Sequence, residues 1–358
     1  MINVTRTWLP PLEEYVALLR GVWQRAHLTN HGPLLVELER LLRQELDVPY
    51  CTVVCNGTLA LQIAFHALRL KGAVLTTPFS YVATTAAVAW EGLTPVFADI
   101  ETDSLCLSAA NARQAWRDDI GAILATHVYG NACDVDALAA LGRERGVPVI
   151  YDAAHAFGAR FNGRSLASYG DIATLSFHAT KLFHTAEGGA LITHDPQLAA
   201  RIEYLRNFGH SGPNAFIDYG TNAKVSELHA AMGLCVLPRV PELIARRQAL
   251  CAVYDAELCH PAVTRPAWRA GLQRNHSYYP VVFDSEAQLE DVQRQLIADN
   301  VHPRRYFHPA LNRLVYVEPV AMPVAESVSS RVLCLPLAAD LDPVDVRRIC
   351  TIVRRALG

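Results

Sequence analysis

The feature that most constrains the fold is a regular alternation of short apolar runs and helical patterns between residues 52 and 193. Apolar runs of four or five residues predict buried strands, and the longer stretches between them predict helices. We therefore predict an α/β fold with a mostly parallel central sheet and right-handed crossovers. The strand runs are residues 52–55, 73–76, 94–98, 122–126, 147–151, 172–176 and 190–193.

The pattern changes past residue 240. A long helical pattern at 240–257 precedes a strand pattern at 276–283, and Ser285 with Gln288 has the spacing of a capping box. A last amphipathic helix is predicted from Asp342. We predict a large domain over residues 1–239 and a smaller α+β domain over residues 240–358. The N-terminal segment belongs to the first range but can pack on the second.

Composition excludes several classes of function. The chain has 358 residues, of which 51% are hydrophobic, and a net charge of −3, which gives no reason to expect nucleic acid or membrane as partner. Its start lacks the apolar run of a signal peptide, and no run reaches the ~20 residues of a membrane helix. The nine scattered cysteines predict reduced thiols of a cytoplasmic protein, and no histidine or cysteine cluster predicts a metal.

Polar residues follow the predicted strands, where ligands bind in parallel α/β sheets. Gly57 and Thr58 open a helix, and a helix N-terminus suits a phosphate, although a plain threonine N-cap explains the pattern equally well. Lys181 follows an apolar strand and is either a desolvated amine able to form a Schiff base or an ordinary surface lysine. The residues at such strand ends are Gly57, Thr58, Tyr81, Asp152, His155 and Lys181.

Residues 158–165 have the spacing of a phosphate-binding Walker A loop, with Arg164 in place of its lysine. Such a loop must run from a strand directly into a helix, and residues 166–170 are not a helix start. No GxGxxG motif is present either. A nucleotide triphosphatase and a dinucleotide-binding enzyme are therefore rejected.

The polar residues at the strand ends are the groups that pyridoxal 5′-phosphate (PLP) needs: an imine-forming lysine, a carboxylate for the pyridine nitrogen, a phosphate cradle and an aromatic ring. Here the chain resembles the DegT/DnrJ/EryC1/StrS sugar aminotransferases, which have the PLP-dependent transferase fold of type I. The resemblance covers nearly the whole chain. Its main motifs are Asn56-Gly57-Thr58, Pro-Phe-Ser-Tyr-Val-Ala-Thr at 78–84, Tyr-Asp-Ala-Ala-His-Ala at 151–156, Ser-Phe-His-Ala-Thr-Lys at 176–181, Glu187-Gly188-Gly189 and Gly220-Thr221-Asn222.

The resemblance implies roles for several residues of these motifs. Lys181 would form the Schiff base with PLP, and Asp152 would pair with the pyridine N–H. His155 would lie near the phenolic oxygen, where the family commonly has glutamine, and Tyr81 would stack on the ring. Gly57, Thr58 and Ser176 would hold the phosphate. Asn222 would reach it from the neighbouring subunit, which makes a homodimer part of the active site.

The resemblance also implies a reaction, in which L-glutamate gives its amino group to PLP and a nucleotide-linked keto sugar then receives it. We expect C-4 of dTDP-4-keto-6-deoxy-D-glucose as acceptor. Tyr151 and His155 stand where many relatives have Glu and Gln, and both changes occur in members that resemble the enzymes acting on such 4-keto sugars. Alternatives are C-3 of a dTDP-3-keto-6-deoxyhexose or a PLP-binding regulator without turnover. The substrate site is expected beside Thr29, Asn30 and the segment 304–308, which includes Arg304, Tyr306 and His308. His178 and His184 have no assigned role.

Overall fold

A computed structural model describes residues 1–358, and its centre is a seven-stranded sheet. The sheet has the order β2-β10-β9-β6-β5-β3-β4. The strands are β1 (Ile2–Asn3), β2 (Tyr50–Val54), β3 (Ala73–Thr76), β4 (Thr94–Phe97), β5 (Ile120–Thr126), β6 (Val149–Asp152), β7 (Arg160–Phe161), β8 (Arg164–Ser165), β9 (Ile172–Ser176), β10 (Gly189–Thr193), β11 (Val263–Thr264), β12 (Leu272–Gln273), β13 (Tyr279–Phe283), β14 (Val301–His302) and β15 (Val332–Leu335).

Helices cover both faces of this sheet. Val74 packs in one hydrophobic cluster and Leu75 in the other, as the alternation of side chains along a strand requires. The helices are α1 (Leu12–Arg25), α2 (Pro33–Leu46), α3 (Gly57–Ala67), α4 (Val82–Trp90), α5 (Ala109–Gln114), α6 (Val135–Arg145), α7 (Pro196–Leu205), α8 (Glu227–Val236), α9 (Val240–Glu257), α10 (Glu286–Ala298), α11 (Pro323–Arg331) and α12 (Pro343–Leu357). The predicted α/β class with a mostly parallel sheet is confirmed.

The exception to parallel pairing is β10, which runs antiparallel to both of its neighbours, β2 and β9. The chain leaves β9, forms a loop over residues 177–188 and returns at once as β10. No helix separates the two strands, so the connection does not need a crossover. This reversal places the 177–188 loop at the carboxyl end of β9, beside the end of β2.

The C-terminal part of the chain forms a second layer with its own hydrophobic cluster. The cluster joins β13 and β15 to the apolar faces of α9, α10 and α12. β1 pairs in parallel with β14, so the N-terminal segment lies against this layer. The domain boundary near residue 240 stays a prediction.

The predicted strands of the central sheet and the strand near residue 280 are present, with differences at their ends, whereas seven short strands were not predicted: β1, β7, β8, β11, β12, β14 and β15. β13 begins at Tyr279 rather than at residue 276, because His276 adopts a positive φ of 50° that interrupts an extended strand. The rejected Walker pattern is a hairpin in which Arg160 pairs with Ser165, and no α-helix follows it. Ser285 caps α10 by accepting from the Gln288 amide at 3.2 Å.

One helical stretch, Glu227–Glu257, is long and apolar enough to cross a membrane by length and composition alone. It consists of α8 and α9 joined by a short 3₁₀ turn. Ala230 and Val240 of this stretch pack in the main hydrophobic cluster, and Leu250 packs in the C-terminal one. Apolar side chains of this stretch therefore pack in the protein core.

Candidate active site

A cavity of about 400 Å³ lies at the carboxyl ends of the central strands. Strand register explains its position, since Asp152 stands opposite Thr126 on one side and Thr174 on the other. Gly189 likewise stands opposite Val54 and Ser176. Residues far apart in the chain therefore meet at one edge of the sheet. We call this the inner cavity.

The structure brings most of the predicted site residues to this inner cavity. Its lining includes Gly57, Thr58, Tyr81, Asp152, His155, Ser176, Lys181 and Tyr306. His308 lies outside it in the adjoining larger cavity. Thr29, Asn30 and Asn222 do not line the inner cavity of their own chain.

The 177–188 loop that carries Lys181 is fixed at several points. The Phe177 amide donates to the Gly188 carbonyl at 2.7 Å, which closes the base of the loop. Phe177 and Phe183 are fully buried in an edge-to-face contact. The lysine therefore projects from a loop whose apolar side chains belong to the core.

His184 ties the same loop to the N-terminal segment. Its Nδ1 accepts from the Ala186 amide at 3.3 Å, so the ring proton is on Nε2, which donates to the Trp8 carbonyl at 2.7 Å. The ring is 1% exposed. His184, unassigned from the sequence, thus has a structural position away from the inner cavity, whereas His178 lines it.

The environment of Lys181 makes its neutral amine more accessible than that of an ordinary lysine. Burial lowers the pKa of Lys181 to about 8, and the charge of Asp152 opposes part of this shift. A neutral amine is the nucleophilic form of lysine. The alternative of an ordinary surface lysine does not agree with this partly buried position.

The start of α3 offers backbone donors to the inner cavity. The Asn56 side chain caps the helix by accepting from the Leu59 amide at 2.8 Å, so the threonine N-cap considered above is wrong. Helix geometry leaves the Gly57 and Thr58 amides without intrahelical acceptors. A Cβ at Gly57 would lie 3.0 Å from the Cβ of Ser176, so glycine allows this close approach. The arrangement suits a phosphate group.

Asp152 is a buried carboxylate without an ion-pair partner within the chain. Its Oδ1 accepts from the Ala154 amide at 3.1 Å and its Oδ2 from the Thr84 hydroxyl at 2.8 Å. Burial raises the pKa of Asp152, and these two hydrogen bonds oppose the shift. A cationic N–H donor in the inner cavity would favour the ionised form.

A chain of hydroxyl groups leads to Asp152. Thr126 donates to Ser80 at 3.0 Å, and the Ser80 and Thr84 hydroxyl oxygens are 2.7 Å apart. Because the single Thr84 proton is given to Asp152, Ser80 must donate to Thr84. All the donors point the same way, and such a chain strengthens the final bond to the carboxylate.

His155 is held as a neutral ring with one defined tautomer. Its Nδ1 accepts from the Tyr129 amide at 3.3 Å, which leaves the proton on Nε2. Burial and the charge of Lys181 lower the pKa of His155 well below its usual value. Phe307 stacks on the ring at 5.6 Å. His155 can therefore act as a hydrogen-bond donor through Nε2.

Sequence reasoning missed the partners that orient these groups. Thr84 had no role assigned from the sequence, yet Ser80 and Thr84 lie four residues apart just after a strand, a spacing that could have indicated one shared face. Tyr129 and Phe307 approach His155 from residues distant in the chain. Nothing in the local sequence signals those two contacts.

A second, outer cavity of about 1040 Å³ adjoins the inner one. Its wall combines the N-terminal segment, including Asn3 and Thr5, with Gln293 and His302 of the C-terminal layer. The residues common to both cavities are Ser80, Tyr81, Thr180, Arg304, Tyr306 and Phe307.

Asn30 lines a separate cavity of about 230 Å³, together with Asn207 and Lys224. Asn222 lies beside this cavity, because its Oδ1 accepts from Lys224 Nζ at 2.6 Å and its backbone bridges to Asn207. Asn222 and Thr29 are both exposed. These predicted residues thus share one region that is distinct from the inner cavity of the same chain.

A model of the DegT/DnrJ/EryC1/StrS aminotransferase family matches residues 12–354. The dTDP-4-amino-4,6-dideoxy-D-glucose transaminase of Shigella dysenteriae is 36% identical over 99% of this chain and 98% of its own length. The Escherichia coli protein of that name is 35% identical over 97% of this chain and 96% of its own.

Solved structures of aminotransferases also align with this chain over nearly its whole length. DesI, crystallised in the presence of its TDP-sugar product, aligns with a TM-score of 0.94 and 35% identity, covering 99% of this chain and 92% of that one. The aminotransferase TlmJ from Streptoalloteichus hindustanus aligns with a TM-score of 0.94 and 28% identity, covering 100% of this chain and 99% of that one.

Proposed function

Because this chain belongs to the DegT/DnrJ/EryC1/StrS aminotransferase family and is a PLP-dependent sugar aminotransferase, we propose that it aminates C-4 of dTDP-4-keto-6-deoxy-D-glucose with L-glutamate as donor. Two relatives whose names contain a dTDP-linked 4-amino-4,6-dideoxy-D-glucose support this regiochemistry. The observation that carries the proposal is one cavity holding a lysine of lowered pKa and a buried, unpaired carboxylate.

The residues of the inner cavity fit PLP. The amides of Gly57 and Thr58 and the hydroxyl of Ser176 offer donors for its phosphate. Asp152 offers an acceptor for the protonated pyridine nitrogen, and Tyr81, which is 56% exposed, offers a ring face. When bound, PLP supplies an electron sink for the bond changes at the substrate carbon.

We assign roles in handling protons to three residues of this chain. Lys181 Nζ takes the proton from Cα of the amino donor and later returns one to the sugar carbon that receives nitrogen. Asp152, held by Thr84 and the Ala154 amide, would keep a proton on the pyridine nitrogen of bound PLP. The tautomer of His155 leaves its proton on Nε2, so this ring would offer a donor to the phenolic oxygen of bound PLP.

The lowered pKa of Lys181 predicts how the cofactor-free enzyme captures PLP as the pH changes. Only the neutral amine attacks the aldehyde, so the capture rate should rise about tenfold per pH unit up to the pKa of about 8 and then level off. Mixing apoenzyme with PLP between pH 6 and 10 and following the visible band measures this curve. A rise that continues to pH 10 would contradict the assigned environment of Lys181.

The proposed reaction is tested with purified protein. It should have a visible absorption band that L-glutamate bleaches and that the 4-keto sugar nucleotide restores, with a 4-amino sugar as product. A preference for the 3-keto isomer would favour C-3 amination instead. A stable band that neither substrate changes would favour a regulator without turnover.

We also propose a homodimer in which Thr29, Asn30 and Asn222 complete the active site of the partner subunit. Their common location away from the inner cavity of their own chain supports this arrangement. Large apolar side chains left exposed by the single chain support a subunit interface as well. They include Trp23, Leu28, Trp90, Phe208, Phe216, Ile217 and Tyr219.

We place the reaction in the cytoplasm. None of the nine cysteines forms a disulfide, and seven are buried as small core residues. The domain division at residue 240 and the segment 304–308 as part of the substrate site are likewise proposals. Cell fractionation with a periplasmic marker as reference tests the cytoplasmic location.

A further inference from the structure

Both proposed substrates react in turn beside Lys181 in the inner cavity, which the outer cavity adjoins. The donor reacts at its amino carbon and the acceptor at its keto carbon, so these ends point into the inner cavity. The opposite end of each molecule is anionic: a side-chain carboxylate on L-glutamate and a diphosphate on the sugar nucleotide. An anion-binding group is therefore needed where the inner cavity meets the outer one.

Arg304 is the arginine that lines both cavities. Its backbone is fixed by two hydrogen bonds to Cys334, at 3.2 and 2.8 Å. Its side chain is exposed, has no carboxylate within ion-pair distance and makes no hydrogen bond within the chain. The guanidinium is therefore available to a ligand.

The side chain of the adjacent arginine, Arg305, is already bound by groups of this chain. Arg305 Nη2 donates to Glu286 Oε1 at 2.6 Å and to the Ser330 carbonyl at 2.9 Å. The outer cavity has no aspartate or glutamate in its wall, so nothing there neutralises Arg304. Carboxylates and diphosphates are the groups that a free guanidinium binds with paired, charge-assisted hydrogen bonds.

We propose that Arg304 receives the distal anion of both substrates in turn, the γ-carboxylate of L-glutamate in the first half-reaction and the diphosphate of the sugar nucleotide in the second. The inference rests on the proposed function and adds a specificity-determining residue to it. The nucleoside lies in the outer cavity, whose volume of about 1040 Å³ provides the room. Since one group serves both ligands, they exclude each other.

The test compares wild-type holoenzyme with Arg304→Gln in separate half-reactions. L-Glutamine has the length of L-glutamate without the distal charge, so it serves as a probe of that charge. Arg304→Gln should weaken apparent binding of L-glutamate by about 10- to 100-fold and leave L-glutamine nearly unchanged. Binding of the sugar nucleotide should weaken to a similar extent, with limiting rates changed by less than about threefold.

Controls separate this role from a structural one. Arg294→Gln removes the same charge from an exposed position on α10 and should leave both affinities unchanged. Arg304→Lys should recover part of the loss. Both Arg304 variants should keep the visible band and the melting temperature. If Arg304→Gln weakens only one substrate, or neither, the shared role is overturned.

Ligands that do not react keep this inference separate from the proposed function. Glutarate and dTDP should compete for wild-type holoenzyme, and Arg304→Gln should weaken both by about tenfold or more. If wild-type enzyme fails to turn over but this competition holds, the proposed reaction is wrong and the anion site stands. If the two ligands bind independently, the inference is wrong whatever the reaction.

Discussion

Replacing Lys181 by alanine should remove the visible absorption band and lower the transamination rate by a factor of about 10⁴ or more. Under the proposed assignment, the variant loses the amine that would bond to PLP and the base that would move the proton at the substrate carbon. It should still fold, since Lys181 makes no side-chain hydrogen bond or ion pair within the chain and the apolar residues around its loop remain. Absorbance and a coupled assay for 2-oxoglutarate measure the two effects.

The chain offers a clear control for this experiment, because its lysines are Lys71, Lys181 and Lys224. Lys71 is exposed and lies outside the inner cavity, so Lys71→Ala should behave as wild type. Reduction of the holoenzyme with borohydride, followed by peptide mapping, should label Lys181. A label on another lysine would overturn the assignment of the Schiff-base residue.

Replacing Asp152 by asparagine should lower kcat by a factor on the order of 10³ while the protein stays folded. An amide cannot hold a proton on the pyridine nitrogen, so the ring accepts electrons poorly. The Thr84 hydroxyl can still donate to the remaining carbonyl oxygen, which limits the structural change. Stopped-flow bleaching of the band by L-glutamate measures this step directly.

Thr84→Val provides a graded comparison for Asp152. It keeps the carboxylate but removes the hydroxyl that donates to it, so we expect a fall of about tenfold. The order of rates should be wild type, then Thr84→Val, then Asp152→Asn. If Asp152→Asn kept its kcat within about threefold of wild type, a role for this carboxylate at the ring nitrogen would be excluded.

The arrangement at the strand ends was predictable because apolar runs alternating with helical stretches are a local sequence pattern that is typical of a parallel sheet. Apolar runs at 73–76 and 122–126 became β3 and β5, and the carboxyl ends of parallel strands must meet at one edge. The residue types at those ends, such as Asp152 and Lys181, then indicated the chemistry. The motif match supplied the roles, which spacing alone left open.

Other parts of the site depend on contacts between distant segments. The outer cavity combines residues 3–5 with residues 302–309, and the local pattern of neither segment predicts the other. The tautomer of His155 is decided by a single hydrogen bond from the Tyr129 amide within the folded chain. Propensity and periodicity carry no information about such bonds, because they describe average preferences of local sequence.

The reversal of β10 has a thermodynamic consequence for the whole sheet. Because β10 lies between β2 and β9, the start of α3 that follows β2 and the Lys181 loop that follows β9 lie on either side of one strand. These two segments are more than a hundred residues apart in the chain. A ligand anchored at both ends joins those segments only in the native state. Such a ligand stabilises the native state against unfolding by mass action. A change that weakens ligand binding should therefore also lower the stability of the liganded protein.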